Sequence, residues 1–351
     1  MRILVATDAW HPQVNGVVRT LTMMAETAKS FGVDVSFLTP QSFRTIAMPS
    51  YRDLRVALPY PGKTARLIAD ARPDSIHIAT EGPIGLLVRR YCLKEGLPFT
   101  TSFHTRFPEY ISARLPIRES WVWAALRAFH RPSKAVMAAT PALADELRMR
   151  GFHNVVLWPR GVDATLFHPR VADLGLPRPV FLCTGRVAVE KNLEAFLDLD
   201  LPGTKVIVGD GPARTALARK YLQAVFLGTR QGEELAKTYA AADVFVFPSK
   251  TDTFGLVLLE ALASGLPVAA FPVAGPRDVI GDAPVGVLND DLRIACLSAL
   301  NISPQACLAF AAEHTWEAST RAFVEHTADV RDADPRCDAV PFAAEHPRFV
   351  V

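Results

Sequence analysis

The sequence predicts an α/β protein with two doubly wound parallel sheets, and three observations carry that prediction. Its 351 residues exceed one ordinary hydrophobic core and suit two domains. Half of the residues are apolar and 21% are charged, a globular composition that excludes collagen-like, coiled-coil and disordered proteins. Short apolar runs alternate with amphipathic stretches, and strands that alternate with helices indicate parallel sheets covered by helices.

The first domain is predicted over residues 1–169, where apolar runs bounded by turn residues indicate buried parallel strands. Amphipathic stretches at 20–30 and 84–95 predict helices between the strands. Gly32 and Gly96 follow these stretches at the position where glycine commonly ends a helix. The predicted strands are residues 3–6, 33–38, 75–78, 99–103, 135–138 and 155–157.

The strand and helix pattern restarts after a proline-rich stretch at 176–179, and we place the domain boundary near residue 170. The second domain is expected over residues 170–312, and residues 313–351 are expected to form a helix and tail that pack back toward the first domain. Ligands bind beyond the carboxyl ends of strands in such sheets, so two facing domains predict an interdomain cleft. The predicted strands are residues 180–184, 205–208, 224–227, 244–247 and 267–271.

Targeting signals and cysteine spacing favour a cytoplasmic protein. The apolar stretch at residues 3–6 is too short for a signal peptide, and it is followed too soon by the acidic residue Asp8. No window approaches the roughly 18 uninterrupted apolar residues of a membrane span. The five cysteines are scattered without metal or redox spacing, which is typical of buried, reduced cysteines.

The charge is distributed unevenly along the chain. Residues 1–170 hold 22 Lys and Arg against 13 Asp and Glu, and the remainder holds 16 against 23. This asymmetry indicates that the first half meets an anion, which a phosphorylated ligand, a nucleic acid or an acidic membrane surface could supply. No nucleic-acid partner is expected, because no recognition motif accompanies the charge.

Polar and glycine residues follow several predicted strands. Asn15-Gly16 precedes a helix, which is a phosphate-binding geometry and equally an ordinary strand-to-helix turn. Arg186 and Lys191 place two cations about one helical turn apart after the strand 180–184, and such a pair fits a diphosphate. The next two strands end in glycine turns, where the backbone can approach a ligand closely; these turns contain Gly209-Asp210 and Leu227-Gly228.

Two carboxylates, Asp252 and Glu260, are separated by seven intervening residues around the start of a predicted helix. One lies in the loop and the other inside the helix, so both can face one cleft at different depths. Glu260 interrupts the apolar run 256–262, and a buried carboxylate must find hydrogen-bond donors. Sugar hydroxyls are donors of this kind.

Taken in this order, the motifs resemble the retaining family 4 glycosyltransferases, which have the GT-B fold of two facing Rossmann-like domains. The resemblance covers Asp8 to about Trp316 and is most similar to the branch that includes sulfolipid synthases, glycosyl-diacylglycerol synthases and lipid-linked α-mannosyltransferases. Its specific strings are the Asn15-Gly16 loop, SFHT at 102–105, GRVAVEK at 185–191, VGDGP at 208–212 and the carboxylate pair with its FG and LPV companions.

The resemblance also implies roles for individual residues. Glu260 would bind the ribose hydroxyls of the donor, Arg186 and Lys191 its diphosphate, and a Gly16 amide the far side of that diphosphate. The loop from Asp252 would hold the transferred sugar, although the family usually carries Glu at this position. The implied catalytic residues are His104, Arg186, Lys191 and Asp252, and the implied donor-binding residues are Gly16, Arg186, Lys191, Gly209, Asp210, Leu227, Asp252, Thr253, Phe254, Gly255 and Glu260.

No metal or other cofactor is expected, because Arg186 and Lys191 supply the positive charge. The Asp-x-Asp strings at 198–200 and 332–334 do not directly follow convincing strands and favour solvated surface. Retention ordinarily uses a carboxylate nucleophile. The resemblance places none there, which favours same-face attack with the leaving phosphate accepting the acceptor's proton.

The acceptor and several single residues stay open at this stage. The expected reaction moves a hexose from a UDP- or GDP-linked sugar to a membrane lipid such as diacylglycerol, at the inner face of the cytoplasmic membrane. A soluble or polysaccharide acceptor, a nucleotide-sugar epimerase and a non-catalytic binding protein are the alternatives. The segment 118–131 fits an interfacial helix with Trp121, Trp123 and Phe129 on a basic face, or a helix packed on its own domain. Glu81 could contact the acceptor, or it could be a carboxylate that stabilises the start of the following helix.

Overall fold

The computed structural model describes residues 1–13, 15–48, 51–104, 118–252 and 254–332. The chain forms two compact units: unit 1 comprises Met1–Trp158 together with the chain from Ser319 onward, and unit 2 comprises Pro159–Ala318. The boundary predicted near residue 170 therefore lies inside unit 2. The reason is packing, because Val162 and Phe167 belong to the hydrophobic core of unit 2.

Unit 1 is built on a parallel sheet of six strands. The strands are β1 (Arg2–Ala6), β2 (Asp34–Leu38), β5 (Ser75–Ile78), β6 (Thr100–Phe103), β7 (Ala135–Ala138) and β8 (Val155–Leu157). Their order across the sheet is β2-β1-β5-β6-β7-β8. A separate antiparallel pair consists of β3 (Thr45–Met48) and β4 (Tyr51–Ala57).

Helices connect these strands, as the doubly wound prediction requires. They are α1 (Gly16–Ala28), α2 (Pro61–Ala71), α3 (Pro83–Glu95), α4 (Glu119–His130) and α5 (Pro141–Met149). The Asn15 side chain caps α1 by accepting from the amides of Val17 and Val18, both at 3.0 Å. Gly96 ends α3 in the left-handed conformation with φ of 66°.

Unit 2 carries a second parallel sheet, of β9 (Val180–Thr184), β10 (Thr204–Val208), β11 (Val225–Gly228), β12 (Val244–Phe247), β13 (Val268–Ala270) and β14 (Gly286–Leu288). Their order is β11-β10-β9-β12-β13-β14, the arrangement of a dinucleotide-binding sheet. The helices are α6 (Glu194–Leu197), α7 (Arg214–Lys220), α8 (Gly232–Ala240), α9 (Leu256–Ala263), α10 (Ala274–Ile280), α11 (Leu292–Ala299) and α12 (Pro304–Ala312). The predicted class, α/β with two Rossmann-like halves, is confirmed.

The last helix, α13 (Trp316–Asp332), starts in unit 2 and continues into unit 1. Its Phe323 is fully buried, with ring centroids 4.8 Å from Trp158 and 4.9 Å from His77. Ser75 in β5 donates a hydrogen bond to the Thr327 carbonyl at 3.0 Å. This C-terminal helix therefore completes the core of unit 1.

Helix α4 packs on unit 1 instead of presenting one interfacial face. Trp123 is buried and stacks on Phe103 with ring centroids 5.8 Å apart, and Phe129 is also buried, whereas Trp121 is 66% exposed. The three aromatic residues therefore do not share a surface. Across the described ranges no single helix is long and apolar enough to cross a membrane. Helices α11 and α12, which are bent by 97° relative to each other, reach the length and apolar composition of a span only when taken as a pair.

Candidate functional site

The strand order of unit 2 reverses between its two middle strands, β9 and β12. From β9 the sheet continues through β10 to β11, and from β12 it continues on the other side through β13 to β14. Ligands of open α/β sheets bind beyond the carboxyl ends of the strands at such a reversal. Two loops lie at this place, residues 185–193 after β9 and residues 248–255 after β12.

Side-chain contacts join these two loops. The Lys191 ammonium lies 2.6 and 2.7 Å from the two carboxylate oxygens of Asp252. Both side chains are partly exposed, at 29% and 24%. Two further hydrogen bonds run from Asn192 Nδ2 to the Pro248 carbonyl at 3.1 Å and from Thr251 Oγ1 to the Glu190 carbonyl at 3.4 Å.

The pairing of Lys191 with Asp252 changes the expected electrostatics of the site. The sequence assigned the two groups separately, one to a diphosphate and the other to a sugar. In the structure the carboxylate neutralises the ammonium, while Arg186 lies exposed in the same loop. An ammonium has three N–H donors, so Lys191 can hold Asp252 and an anionic oxygen together.

Cys183 lies beside this ion pair at the end of β9. Burial raises the pKa of its thiol to about 12, and the nearby Lys191 opposes that shift without reversing it. Because the thiolate is the nucleophilic form, a thiol that stays protonated at neutral pH is inert. Cys183 is therefore a packing residue.

Glu260 lies on α9 and is 3% exposed. Its Oε2 atom accepts a hydrogen bond from Tyr239 Oη at 3.0 Å, and Tyr239 Oη is 2.6 Å from Thr184 Oγ1. Thr184 is the last residue of β9, and Tyr239 belongs to α8. The sequence reasoning missed Tyr239, although a tyrosine among apolar residues usually has a hydroxyl partner when it is buried.

The glycine turn after β10 packs tightly against the loop after β9, and the approach of a ligand to the turns after β10 and β11 stays a prediction. A Cβ atom on Gly209, whose φ is 137°, would lie 1.8 Å from the Gly185 carbonyl oxygen. A Cβ on Gly228 would lie 3.4 Å from the Arg214 guanidinium. Gly185 also has φ of 137°, but a Cβ there would point into open space. Of these three glycines, Gly185 is the one with no atom close to the position of an added Cβ.

The other predicted donor residues of unit 2 lie around these turns. Asp210 is exposed and accepts from the Gly211 amide at 2.7 Å and from Arg214 at 3.2 Å. Leu227 and Phe254 pack partly buried against the core. Gly255 begins α9 with φ of 86°. Thr253 lies outside the described residues.

The predicted residues of unit 1 lie at the carboxyl ends of its own strands. Gly16 is exposed at the first position of α1. His104 directly follows β6, is partly buried, and meets the Trp158 ring edge to face at 5.7 Å. No structural observation tests the roles assigned to these two residues, which stay predictions.

Glu81 has a different partner from either predicted one. Its Oε1 atom lies 3.2 Å from Nε2 of the buried His130. The helix start that Glu81 was expected to favour is capped instead by Asp8, which accepts from the amides of Ile84 at 2.9 Å and Gly85 at 3.3 Å. Burial raises the pKa of Asp8 while these backbone donors oppose the shift.

The turn at 198–200 is held together by its own neighbours. Tyr221 Oη donates to Asp198 at 2.6 Å, and Arg293 donates to the Asp200 carbonyl at 2.8 Å. Among the residues that the structure describes, no group of three His, Cys, Asp or Glu side chains could hold a metal ion. The second string, 332–334, extends beyond the described part of the chain.

Comparison with known proteins identifies the family. Residues 14–166 match glycosyltransferase family 4, and residues 178–299 match glycosyl transferases group 1. The chain is 32% identical over 315 residues to a GDP-mannose-dependent alpha-mannosyltransferase from Mycobacterium tuberculosis, covering 82% of this chain and 83% of the relative. The chain belongs to glycosyltransferase family 4. It is therefore an enzyme, a glycosyltransferase.

Other members of the family extend this result. An alpha-monoglucosyldiacylglycerol synthase from Streptococcus pneumoniae is 28% identical over 370 residues, which is 92% of this chain and 83% of that protein. The solved structure of sucrose-phosphate synthase from Thermosynechococcus elongatus superposes with a TM-score of 0.76 at 21% identity, covering 95% of this chain and 100% of the other. The structural likeness confirms the GT-B fold class, and the relatives support the resemblance to the lipid-glycosylating branch.

Proposed function

We propose that this family 4 glycosyltransferase moves a hexose from a UDP- or GDP-linked sugar to an acceptor hydroxyl with retention of configuration. The observation that carries the proposal is the joined pair of loops at the strand reversal of unit 2, with Arg186, Lys191 and Asp252 on the loops and Glu260 on the following helix. The mannosyltransferase relative is named as GDP-mannose-dependent, which supports a nucleotide-linked donor.

The charges of the two loops suit this reaction. Breaking the bond between the sugar and the diphosphate builds positive charge on the anomeric carbon and negative charge on the leaving phosphate. Fixed cations at the phosphate stabilise that transition state more than the ground state. Arg186 supplies one cation, and Lys191 supplies the other while it keeps its contact with Asp252.

The same ion pair supports retention by same-face attack. Both Asp252 oxygens lie within 2.7 Å of the Lys191 ammonium, so this carboxylate is a poor nucleophile toward the anomeric carbon. In same-face attack the bond from the anomeric carbon to the phosphate oxygen breaks, and the bond to the acceptor oxygen forms on the same side. The proton of the acceptor hydroxyl passes to the leaving phosphate.

Replacing the two cations tests the proposal. We expect Arg186→Ala and Lys191→Ala each to lower kcat/KM for sugar transfer roughly 30- to 1,000-fold. This corresponds to about 2 to 4 kcal/mol of lost transition-state stabilisation, because each variant removes a charge-assisted contact in the transition state. The measurement is transfer from UDP- and GDP-sugars, with Lys237→Ala on the exposed surface of α8 as the matched control. Transfer within a few-fold of wild type in both variants contradicts the diphosphate assignment. Consumption of donor without any acceptor would indicate an epimerase.

Metal independence belongs to the same proposal. Because Arg186 and Lys191 carry the charge that a divalent ion supplies in other transferases, activity should survive a chelator. The measurement is the transfer rate before and after EDTA treatment. Loss of activity that magnesium or manganese restores would refute this part of the proposal.

The proposed acceptor is a membrane lipid such as diacylglycerol, met at the cytoplasmic face of the membrane. The glucosyldiacylglycerol synthase relative is named for such a product. Unit 1 offers a suitable surface on α3, where Leu86 and Leu93 are about half exposed and Arg90 lies between them on the same face. Apolar side chains with an interleaved cation favour an anionic bilayer surface.

A further inference from the structure

A chain of hydroxyl groups runs behind the ribose carboxylate of the proposed donor site. Thr184, Tyr239 and Glu260 come from three different elements of unit 2, namely β9, α8 and α9. The two oxygen-to-oxygen distances are 2.6 Å and 3.0 Å. Tyr239 is completely buried, so its hydroxyl is not in contact with bulk solvent.

Donor counting fixes the direction of this chain. With Glu260 ionised, its carboxylate only accepts, so the single O–H donor of Tyr239 is used in the bond to Glu260 Oε2. The Thr184 hydroxyl must then donate to Tyr239 Oη. A phenol that accepts one hydrogen bond donates a stronger one, so the chain is polarised toward the buried carboxylate.

The phenol ring is held in place by aromatic packing. Tyr239 meets Phe167 edge to face, with ring centroids 5.5 Å apart and planes at 87°. It also lies 5.6 Å from the Phe245 ring. A ring fixed on two sides cannot turn its hydroxyl away, so the position of Glu260 Oε2 is set by the core of the unit.

We propose that Tyr239 is a positioning residue for the donor, one that fixes the orientation in which the Glu260 carboxylate meets the ribose hydroxyls. The inference rests on the proposed function, in which Glu260 is the ribose contact. Thr184 directly precedes Gly185-Arg186, so the same chain links the ribose carboxylate to the loop that holds the diphosphate. Tyr239 itself does not touch the reacting atoms.

The test is a double-mutant cycle between Tyr239→Phe and Glu260→Gln. Tyr239→Phe removes one hydroxyl and keeps the ring, and Glu260→Gln keeps the shape of the side chain. The dissociation constants of UDP, GDP and inorganic pyrophosphate are measured by calorimetry for wild type, both single variants and the double variant. Pyrophosphate lacks ribose and therefore reports on the phosphate contacts alone.

We expect Tyr239→Phe to weaken the preferred nucleotide about five- to tenfold, in keeping with loss of one charge-assisted bond, and to leave pyrophosphate binding unchanged. In the Glu260→Gln background Tyr239→Phe should change nucleotide affinity less than twofold, because the carboxylate that Tyr239 positions is already replaced. Thr184→Val should act in the same direction with a smaller effect.

The matched control is Tyr221→Phe. Tyr221 is a second buried tyrosine of unit 2, and its hydroxyl also donates to a carboxylate, Asp198, at 2.6 Å. This variant should lose stability comparable to Tyr239→Phe while it keeps wild-type nucleotide affinity. Melting temperatures of both variants report the purely structural cost.

Two results overturn the inference in distinguishable ways. If Tyr239→Phe weakens pyrophosphate as much as the nucleotide, or acts equally in both backgrounds, its role is structural and the positioning inference is wrong. If Glu260→Gln binds UDP and GDP like wild type, the ribose assignment of the proposed function is wrong, and the inference falls with it.

Discussion

At the scale of single residues, the ion pair between Lys191 and Asp252 decides how much positive charge the two loops offer. The carboxylate competes with any anion for the ammonium, and both groups are partly exposed, so the competition is modest. Asp in place of the usual family Glu shortens the side chain by one methylene and still reaches Lys191. The pair holds the two loops together, and under the proposed function it also tunes the affinity for the donor.

Asp252→Asn tests this balance. We expect nucleotide binding to tighten about two- to fivefold, because a partly exposed pair is worth roughly up to 1 kcal/mol. Transfer should slow at least tenfold by comparison, because the proposed contact to the sugar is lost. Calorimetry with UDP and GDP measures the first effect, and the rate of sugar transfer measures the second.

Asp145→Asn is the control for this prediction. Asp145 lies on α5 and pairs with Arg148 at 2.7 Å, so its substitution removes a similar exposed pair from a helix to which no donor contact is assigned. It should leave nucleotide affinity unchanged. Weaker nucleotide binding by Asp252→Asn would mean that the carboxylate supports the diphosphate contacts instead of competing with them.

The sequence predicted that Arg186, Lys191 and Asp252 lie around loops that follow strands of the second domain, but not which of these side chains pair. In the structure the two loops follow β9 and β12, the middle strands of one parallel sheet, whose carboxyl ends meet at one edge. The choice of Asp252 as the partner of Lys191, and of His130 as the partner of Glu81, depends on side-chain orientation across elements distant in sequence. No local pattern records that information.

At the scale of elements, the strand-end turns of unit 2 pack against one another through glycine. The Gly209 amide donates to the Gly228 carbonyl at 2.8 Å, and the Gly185 amide donates to the Val208 carbonyl at 2.9 Å. With no Cβ between them, the three turns lie as close as neighbouring strands do. The loop after β9, which is proposed to bind the diphosphate, is therefore supported by backbone contacts from the turn after β10.

Gly209→Ala should displace that support. An added Cβ lies 1.8 Å from the Gly185 oxygen at a positive φ, so we expect a loss of about 2 to 4 kcal/mol from overlap and left-handed strain together, with weaker nucleotide binding. Denaturant unfolding and calorimetry measure the two effects. Gly175→Ala, also at positive φ but with its Cβ in open space, should cost about 1 kcal/mol and keep nucleotide affinity. Equal effects of the two substitutions would contradict the packing role.

The apolar runs predicted eleven of the fourteen strands in the described part of the chain, each within a few residues of its observed bounds. The missed strands are β3, β4 and β14. Gly286 opens β14 and shortens its apolar run, and β3 and β4 are an antiparallel pair of neighbouring strands inside an otherwise alternating pattern of strands and helices.

At the scale of the whole molecule, the excess of basic residues lies in the part of the chain that forms most of unit 1. Trp123 and Phe129 of α4 are buried, whereas Trp121 and the α3 residues Leu86 and Leu93 are among the exposed apolar side chains of unit 1. Each Lys or Arg close to an anionic bilayer adds about 1 kcal/mol of attraction. The proposed attachment to a lipid surface requires several such residues on one face.

Flotation with vesicles tests this attachment. We expect the protein to float with phosphatidylglycerol vesicles more than with phosphatidylcholine vesicles, and to be released at roughly 0.5 M salt, because screening shortens the range of the attraction. Arg90→Glu with Lys94→Glu should reduce the bound fraction several-fold, whereas Arg219→Glu with Lys237→Glu on unit 2 should not. Absence of any preference for anionic vesicles would favour a soluble or polysaccharide acceptor.

The chain enters and leaves unit 2 side by side. Val162 and Thr315 form a parallel bridge, the Val162 amide donates to the His314 carbonyl at 2.9 Å, and a Cβ on Gly161 would lie 2.4 Å from the Trp316 nitrogen. Unit 2 is thus an insertion within unit 1, with both joints at one place. Residues 159–318 could therefore be exchanged with the matching segment of another family member through two adjacent joints. Such an exchange would test the proposed division of roles, in which unit 2 determines the donor and unit 1 the acceptor.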